Sequence, residues 1–356
     1  MVNLVNNILR LLTAGRRWAV VLTVFLAFTP SGIYAQSVPE LQSHYSGATA
    51  WKGNSADLSF TKSGAVNFNR DKEMSGIWEV PAAVKTITIK AKVRVTGQFT
   101  FHGDCTIAGE DQKTSVLYGT DVPALLHNKG LDGGGGCVPY SAILGEGKIT
   151  LQVANLTTLN PIGFMWTGRK GAVIHLDRVR GIDDRGGSHN HSDGIQAAAG
   201  STVRDCYLET GDDTIKVYNY IVVENTTIKM IQNCVPIQLG WGDYGDKATG
   251  VFRNLTIIGN NGRGRIPAVI VGRRGTYQKN IEMDGVSMTN PNAALVSLYE
   301  KGMELDLSIK NGDISVKQFW DEAKGACRSK INGSPEQVKT YRAVGADPKR
   351  RKNAHE

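Results

Sequence analysis

The amino-acid sequence predicts an all-β protein, and within that class a right-handed parallel β-helix, a solenoid of stacked coils. Short apolar runs separated by turn residues recur along most of the chain, which is typical of β-strands. Almost no window shows the i, i+3, i+4 periodicity of an amphipathic helix. The 356 residues include 41 glycines, which indicates many tight turns.

An internal repeat distinguishes the solenoid from other all-β folds. Seven segments share an apolar–polar–apolar pattern with an Asn or Asp at the same place, at intervals of 20 to 30 residues: Asn155, Asp177, Asp205, Asn225, Asn254, Asp284 and Asn311. A second short apolar run follows each of the middle segments, for example GIQAA, TIKVY and PAVIVG. Repeats of this length, with two or three short strands each, predict coils that bury their apolar sides against one another. A β-sandwich is the alternative, although its turns would normally lie closer together.

The chain divides into four predicted regions. Residues 1–35 read as a signal peptide with a basic start, an apolar core and a cleavage point before Gln36, the alternative being an uncleaved membrane anchor. We expect an N-terminal cap or small β-region over 36–100 and the β-helix over 101–330, with an amphipathic helix from Val316 to Cys327 closing its end. A basic, core-poor tail over 331–356 is expected to be disordered.

Composition and charge narrow the partners of this chain. The formal net charge is +8, but much of the positive charge lies at the two ends. There is no basic face with interleaved aromatic residues and no recognisable nucleic-acid-binding module, so we expect no nucleic-acid partner. After the first segment no stretch is long and apolar enough to span a bilayer. The mature protein is therefore expected to be secreted, with no membrane partner. We also expect it to be a monomer. Five cysteines suit an oxidising compartment, although they cannot all pair with one another.

Three carboxylates are the candidate catalytic residues. Asp193 leads into the short run Gly194-Ile195-Gln196, and Asp213, which follows Asp212, leads into Thr214-Ile215-Lys216. If the two runs are successive parallel strands, Asp193 lies over Asp213 at ~4.8 Å. When two carboxyl groups lie this close together, their repulsion separates their pKa values, so one can hold a proton while the other is ionised. This arrangement suits the hydrolysis of a glycosidic bond.

The same stacking predicts the residues around the carboxylates. Gln196, Lys216 and Gln238 are expected to form the next row, and Lys216 could neutralise the cluster or contact substrate. A tryptophan between glycines on an outward turn suits a sugar-stacking platform. The predicted substrate-binding residues are Lys216, Tyr218, Gln238, Trp241, Arg273 and Arg274.

The segment GDDTIKVYNYIVVENTTIKMIQNCVPIQLGWG resembles the dextranase and isopullulanase family, glycoside hydrolase family 49, and more distantly the polygalacturonases. The likeness covers roughly residues 140 to 300. The paired Asp runs into Lys216 and Tyr218, and Gly240 and Trp241 follow about a coil later. The Gly-His-Gly and Arg-Ile-Lys motifs of polygalacturonases are missing, and the N-terminal β-sandwich of the dextranase family is cut short.

The resemblance implies a secreted, dextranase-like glycoside hydrolase that cleaves a dextran- or α-glucan-like polysaccharide with inversion. It implies Asp212 as the general acid and Asp193 with Asp213 as the residues that activate water, without a metal or organic cofactor. Inversion requires the acid and base ~6.5–9.5 Å apart, and the turn position of Asp212 is expected to provide that gap. Two alternatives stay open: a polygalacturonase-like hydrolase of an anionic polysaccharide, favoured by the positive net charge and by Arg273 and Arg274, and a non-catalytic glycan-binding β-helix.

Overall fold

A computed structural model of the chain describes most of the region between residues 59 and 340. The described residues are 59–60, 64–121, 138–185, 192–231, 234–241, 247–259, 268–273, 275–299, 302–320, 330–332 and 335–340. Their regular secondary structure is β-strand, apart from two 3-10 turns at Val138–Tyr140 and Pro335–Gln337. The predicted signal peptide, residues 1–35, lies outside the described part of the chain. No helix within the described ranges has the length and apolar character needed to cross a membrane.

Twelve strands form one sheet, and the order of the strands in the sheet follows their order in the chain. They are β1 Ser59–Phe60, β2 Ala65–Phe68, β4 Thr86–Ile89, β6 Cys105–Gly109, β9 Thr150–Ala154, β12 Val173–Asp177, β15 Ser201–Arg204, β18 Ile221–Glu224, β21 Ala248–Arg253, β24 Gln278–Asp284, β26 Glu304–Lys310 and β28 Lys330–Asn332. Strand β1 pairs antiparallel with β2, and every later pair in this sheet is parallel.

The other seventeen strands form a second, folded sheet. They are β3 Lys72–Val80, β5 Arg94–Phe101, β7 Val116–Tyr118, β8 Ile143–Glu146, β10 Thr157–Leu159, β11 Trp166–Arg169, β13 Arg180–Ile182, β14 Ile195–Gln196, β16 Tyr207–Glu209, β17 Ile215–Lys216, β19 Thr227–Lys229, β20 Ile237–Trp241, β22 Thr256–Ile258, β23 Ala268–Arg273, β25 Ser287–Leu298, β27 Asp313–Trp320 and β29 Val338–Thr340.

The strand pairing shows that the chain winds as a parallel β-helix. Each coil places one strand in the twelve-stranded sheet and then two short strands in the other. Strands β15, β16 and β17 of one coil pair in parallel with β18, β19 and β20 of the next. Long strands such as β25 pass through both positions of the second sheet, with a register shift between Asn290 and Ala294. The predicted parallel β-helix is therefore confirmed.

A left-handed turn residue marks the same corner of successive coils. Asn155, Asp205, Asn225, Asn254 and Asn311 have φ between 49° and 54°. Asn and Asp tolerate this conformation better than other side-chain-bearing residues. The Asn side chains also link coils, because the Nδ2 group of Asn254 donates a hydrogen bond to Oδ1 of Asn225 at 3.0 Å.

The predicted repeat positions Asp177 and Asp284 are each one residue too early. Asp177 pairs with Arg204 and Asp284 pairs with Arg253, so neither lies at the corner itself. The next residues, Arg178 with φ 51° and Gly285 with φ 69°, occupy the left-handed position. The carboxylates therefore stand at the last strand position rather than in the turn.

Stacked aliphatic side chains fill the interior of the coils. Ile195, Ile215, Ile237 and Ile270 follow one another through adjacent strands, and each has no exposed surface. Burying a side chain of this size stabilises the folded chain by about 1.5–3 kcal/mol. Because the ladder fixes these residues inside the coil, it also fixes the direction of their polar neighbours.

The coils extend beyond the predicted limits at both ends. Strands β2 and β4 are already parallel from Ala65, so the coils begin well before residue 101. At the other end, β28 and β29 pair with the preceding coil as far as Thr340, inside the region predicted as a tail. Residues 341–356 lie outside the described part of the chain.

The amphipathic helix predicted from Val316 to Cys327 is wrong over its described part. Residues 316–320 belong to strand β27, where Val316 pairs with Asn290 and Trp320 with Val296. The apolar spacing suited a helix, but the neighbouring coil supplies a strand edge that these residues complete. Residues 321–327 are not among those described.

Three cysteines in the described ranges, Cys105, Cys206 and Cys234, are buried free thiols. Burial raises the pKa of each to about 12. They pack as small apolar side chains in the core. Cys137 and Cys327 lie outside the described residues.

Candidate active site

Asp193 and Asp213 lie side by side on adjacent coils, as the sequence predicted. Each stands two residues before the paired Ile195 and Ile215. The Gly194 N–H donates a hydrogen bond to the carbonyl of Asp213 at 2.8 Å, which fixes the register at the carboxylates themselves. Both aspartates are buried, with 5% and 3% of their surface exposed.

Gly194 allows these two coils to lie close together, because it has no side chain. A Cβ atom at this position would lie 2.1 Å from the carbonyl oxygen of Thr214. Any other residue would therefore push the strands apart directly beside Asp193. The glycine after Asp193 is explained by interstrand contact rather than by turn chemistry alone.

Ser192 ties the turn before Asp193 to the turn that carries Asp212. Its hydroxyl accepts a hydrogen bond from the Gly211 N–H at 3.0 Å and donates one to Asp183. The Asp212 N–H donates to the Ser192 carbonyl at 3.4 Å. Asp183 is itself buried and paired with Arg185. We did not predict Ser192 or Asp183 from the sequence, because a buried serine and an Asp-Asp-Arg run carry no sequence signal that separates them from ordinary turns.

Asp212 joins the other two carboxylates in one cluster. One carboxyl oxygen from each of Asp193, Asp212 and Asp213 can be chosen so that all three lie within 4.8 Å of one another. Asp212 is the least buried of the three. The predicted wider gap at Asp212 is therefore not present between the nearest oxygens, because the Ser192 contacts draw its turn against that of Asp193.

Lys216 supplies a cation to this cluster. Its Nζ forms an ion pair with Oδ2 of Asp193, and the two side chains are only 6% and 8% exposed. The ring of Phe164 lies under the ammonium at 4.2 Å and the ring of Tyr218 at 5.7 Å. Cation–π contacts of this kind add to the attraction when water is excluded. Of the two roles left open for Lys216, charge neutralisation is the one the contacts support.

The pKa values of this pair are both raised. Burial raises the pKa of Asp193 well above its usual range; Lys216 opposes this rise, whereas the carboxylates of Asp212 and Asp213 add to it. Burial alone would lower the pKa of Lys216, but Asp193, Tyr218 and Asp213 outweigh it and raise that pKa. The ammonium therefore keeps its proton, and Asp193 takes one up at a higher pH than an ordinary aspartate.

Asp213 is held by two N–H donors from the next coil. Nε2 of Gln238 donates to Oδ2 of Asp213 at 3.1 Å, and Nε1 of Trp241 donates to the same oxygen at 3.0 Å. Gln238 is oriented in turn, since its Oε1 accepts the Gly240 N–H at 3.1 Å. Lys216 and Gln238 pair directly on adjacent strands, which confirms that part of the predicted row.

Arg273 packs between two aromatic rings. Its guanidinium carbon lies 4.7 Å from the ring centre of Trp241 and 4.3 Å from that of Tyr299. An Nη2 atom donates to the Tyr299 hydroxyl at 3.1 Å. This stack fixes the ring of Trp241, so both residues orient Asp213. We did not predict Tyr299, and Arg274 lies outside the described residues.

The three carboxylates are the one group among the described residues with the spacing of a metal site. Oxygen ligands of this kind suit a hard divalent cation. Lys216 already provides a positive charge to Asp193, and Asp213 Oδ2 accepts two N–H groups. The expectation that no metal is needed stays a prediction.

Comparison with known proteins adds little to this geometry. No protein-family model matches the chain. No curated protein matches it. Among solved structures, Dex49A from Penicillium minioluteum is similar, with a TM-score of 0.48 and 13% sequence identity over 74% of this chain and 47% of that chain. The present chain thus spans about half the length of Dex49A. Similarity at this level concerns the fold only, and the resemblance to glycoside hydrolase family 49 stays a prediction from the sequence.

Proposed function

We propose that this protein is a glycoside hydrolase that cleaves a polysaccharide at the carboxylate cluster. The observation that carries the proposal is the meeting of Asp193, Asp212 and Asp213 within 4.8 Å on adjacent coils, beside the buried Lys216. Like charges this close cannot all ionise at their usual pH, so the cluster can hold a proton and a carboxylate at once. Glycosidic hydrolysis needs both forms at one site.

Asp212 is proposed as the proton donor to the leaving oxygen. It is the most accessible of the three carboxylates, and its backbone is held at the turn by the Ser192 carbonyl and by the hydroxyl of Thr210, which donates to the Asp212 carbonyl at 2.8 Å. Asp193 and Asp213 are proposed to activate water at a pH above the raised pKa of Asp193, where the Asp193 carboxyl group is ionised. Lys216 holds Oδ2 of Asp193, and the N–H groups of Gln238 and Trp241 hold Oδ2 of Asp213.

The stereochemical outcome of the proposed hydrolysis depends on the spacing of the carboxyl groups. The resemblance implies inversion, for which acid and base usually stand ~6.5–9.5 Å apart, whereas retaining enzymes have a spacing of ~5–5.5 Å. One oxygen from each carboxylate lies within 4.8 Å of the others, which is a distance between single oxygen atoms and not between whole carboxyl groups. We propose inversion with the water held by the outer oxygens of Asp193 and Asp213. Proton NMR of the first product decides, because the inverted anomer is expected and the retained anomer would show that one aspartate acts as a nucleophile.

The substrate is proposed to be a neutral, dextran- or α-glucan-like polysaccharide. The anionic alternative depended on the positive net charge and on Arg273 and Arg274. The described contacts place Arg273 between two rings, where it orients Trp241. A panel of dextran, pullulan, starch and polygalacturonate with a reducing-end assay tests this choice. Release from a neutral glucan is expected, and release from polygalacturonate alone would favour the polygalacturonase-like reading.

A non-catalytic glycan-binding β-helix is the competing class of function. Retained binding to a glucan without release of reducing ends would favour it.

We further propose that the protein is exported, on the strength of the N-terminal segment 1–35, and acts as a monomer without nucleic-acid or membrane partners. Cleavage before Gln36 in the exported protein is the measurement that checks the first of these.

A further inference from the structure

A concave surface lies on the second sheet, away from the carboxylates. It is a depression of about 410 Å³ whose lining includes Ile77, Glu79, Thr100, His102, Leu144 and Lys170. A volume of this size falls within the range of small-molecule sites, about 300–1,000 Å³.

The strand register relates this depression to the candidate active site. Glu79 pairs with Thr100, and Thr100 pairs with Leu144. The same row continues through Thr167 and the next coil to Lys216. Three strand steps separate Leu144 from Lys216, which is ~14 Å at the usual strand spacing.

The depression is nevertheless separate from the carboxylate cluster. Thr167, which follows Leu144 in the row, has no exposed surface, and its hydroxyl is hydrogen-bonded to Ser141 at 2.7 Å. A ligand in the depression therefore does not reach the carboxylates along this row.

The lining combines apolar and hydrogen-bonding side chains. Ile77 and Leu144 supply the apolar part. In the polar part, His102 Nε2 lies 2.7 Å from Glu79, and Glu146 lies 2.9 Å from Arg169 and 3.4 Å from Lys170. A sugar ring presents C–H groups on its faces and hydroxyls at its edge, so the two parts of the lining match the two parts of a sugar.

The charge of the lining favours a neutral ligand. Among the lining residues the carboxylates of Glu79 and Glu146 stand against the single ammonium of Lys170, so the lining has no excess of positive charge to attract an anionic sugar when His102 is neutral. Oε2 of Glu146 lies 3.4 Å from the Lys170 ammonium, so the carboxylate of Glu146 is already compensated by a cation.

We propose that this depression is a second glycan-binding site, which takes neutral sugar units rather than uronic acids. The choice of a glycan as the ligand rests on the proposed function. The role of the site is to hold the polysaccharide to the protein while another part of the same polymer is at the carboxylates.

The test compares two lining residues with a neighbour outside the lining. His102 and Lys170 have side chains that are 53% and 72% exposed, so the double variant His102→Ala/Lys170→Ala should fold as the parent does. Lys148→Ala, an exposed lysine two positions beyond Glu146, is the matched control. All are made in the Asp212→Asn background to prevent cleavage, and isothermal titration uses isomaltohexaose as the neutral probe and hexagalacturonate as the anionic one.

We expect the double variant to bind isomaltohexaose at least about fivefold more weakly than the parent, because two polar contacts are lost. Lys148→Ala should bind like the parent, and hexagalacturonate should bind more weakly than isomaltohexaose. Equal affinity in the double variant and the control, tighter binding of hexagalacturonate, or no binding of isomaltohexaose would each overturn the inference.

The outcomes separate this inference from the proposed function. If the wild-type chain releases no reducing ends from any polysaccharide but the double variant still loses affinity, the site stands and the hydrolase proposal falls. Hydrolysis together with unchanged affinity in the double variant would leave the hydrolase proposal standing and remove the second site.

Discussion

The replacement Lys216→Met removes the ammonium that pairs with Asp193 and keeps a side chain of similar length. Both side chains are less than a tenth exposed, so solvent cannot replace the lost partner. Removing one member of a buried ion pair costs about 3–5 kcal/mol, because the other charge is left uncompensated. We expect a loss of this size in the free energy of unfolding at pH 7, measured by urea denaturation.

The same substitution should make stability depend on pH. Lys216 lowers the pKa of Asp193, so the pKa of Asp193 rises further without it. A carboxyl group with a raised pKa in the folded chain contributes stability below its unfolded pKa, ~3.9, and that contribution is lost as the pH rises through the folded pKa. The cost of Lys216→Met should therefore be smallest near about pH 4 and grow toward neutral pH.

A matched surface pair provides the control. Lys229 and Glu209 lie 2.8 Å apart, but the lysine is 40% exposed, and Lys229→Met should cost no more than about 1 kcal/mol. The double variant Lys216→Met/Asp193→Asn removes both charges and should recover much of the lost stability. The reasoning is refuted if Lys216→Met costs no more than Lys229→Met, or if its cost does not change with pH.

Three further substitutions test the supports of the site and of the coils. Ser192→Ala should lower kcat with little change in KM, because it removes the hydrogen bond that joins the two carboxylate turns. Ser201 is equally buried and hydrogen-bonded, so Ser201→Ala should cost a similar ~1–3 kcal/mol of stability without changing kcat. Steady-state kinetics and urea unfolding of both variants check this. Asn225→Ala should lower the free energy of unfolding by about 1–2 kcal/mol because φ is 50°, whereas Asn225→Gly should cost less, and equal losses would contradict the role of the left-handed turn. Trp241→Phe should reduce kcat about tenfold by removing the N–H that Asp213 accepts, and an unchanged kcat would show that this bond does not position the carboxylate.

The sequence predicted the fold well wherever turn residues mark the coils. Asn225 and Asn254 stand at the left-handed corner, so their spacing gave the true length of the coils between them. The early coils carry no such marker. Strand β4 reads Thr-Ile-Thr-Ile, which fits any half-buried strand, and only its pairing with β2 and β6 places it in the solenoid.

The candidate site was predictable in its membership but not in its contacts. The register of Ile195 and Ile215 follows from the repeat, and it brings Asp193 over Asp213. The position of Asp212 depends on hydrogen bonds from Ser192 and Thr210, which no spacing rule reveals. The outward turn of Trp241 suggested a free platform, but the indole donates to Asp213 and packs on Arg273, contacts that only the assembled coils create.

The rate of reducing-end release by Asp212→Asn tests the central claim most directly. This substitution keeps the shape of the side chain and removes its ability to donate a proton as a carboxylic acid. On the glucan that the wild-type chain cleaves, we expect the rate to fall about 10²–10⁴-fold with an unchanged unfolding curve. Asp205→Asn, an exposed aspartate at a coil corner, should keep the wild-type rate. An Asp212→Asn variant as active as the wild type would contradict the assignment of the proton donor, and with it the proposed mechanism.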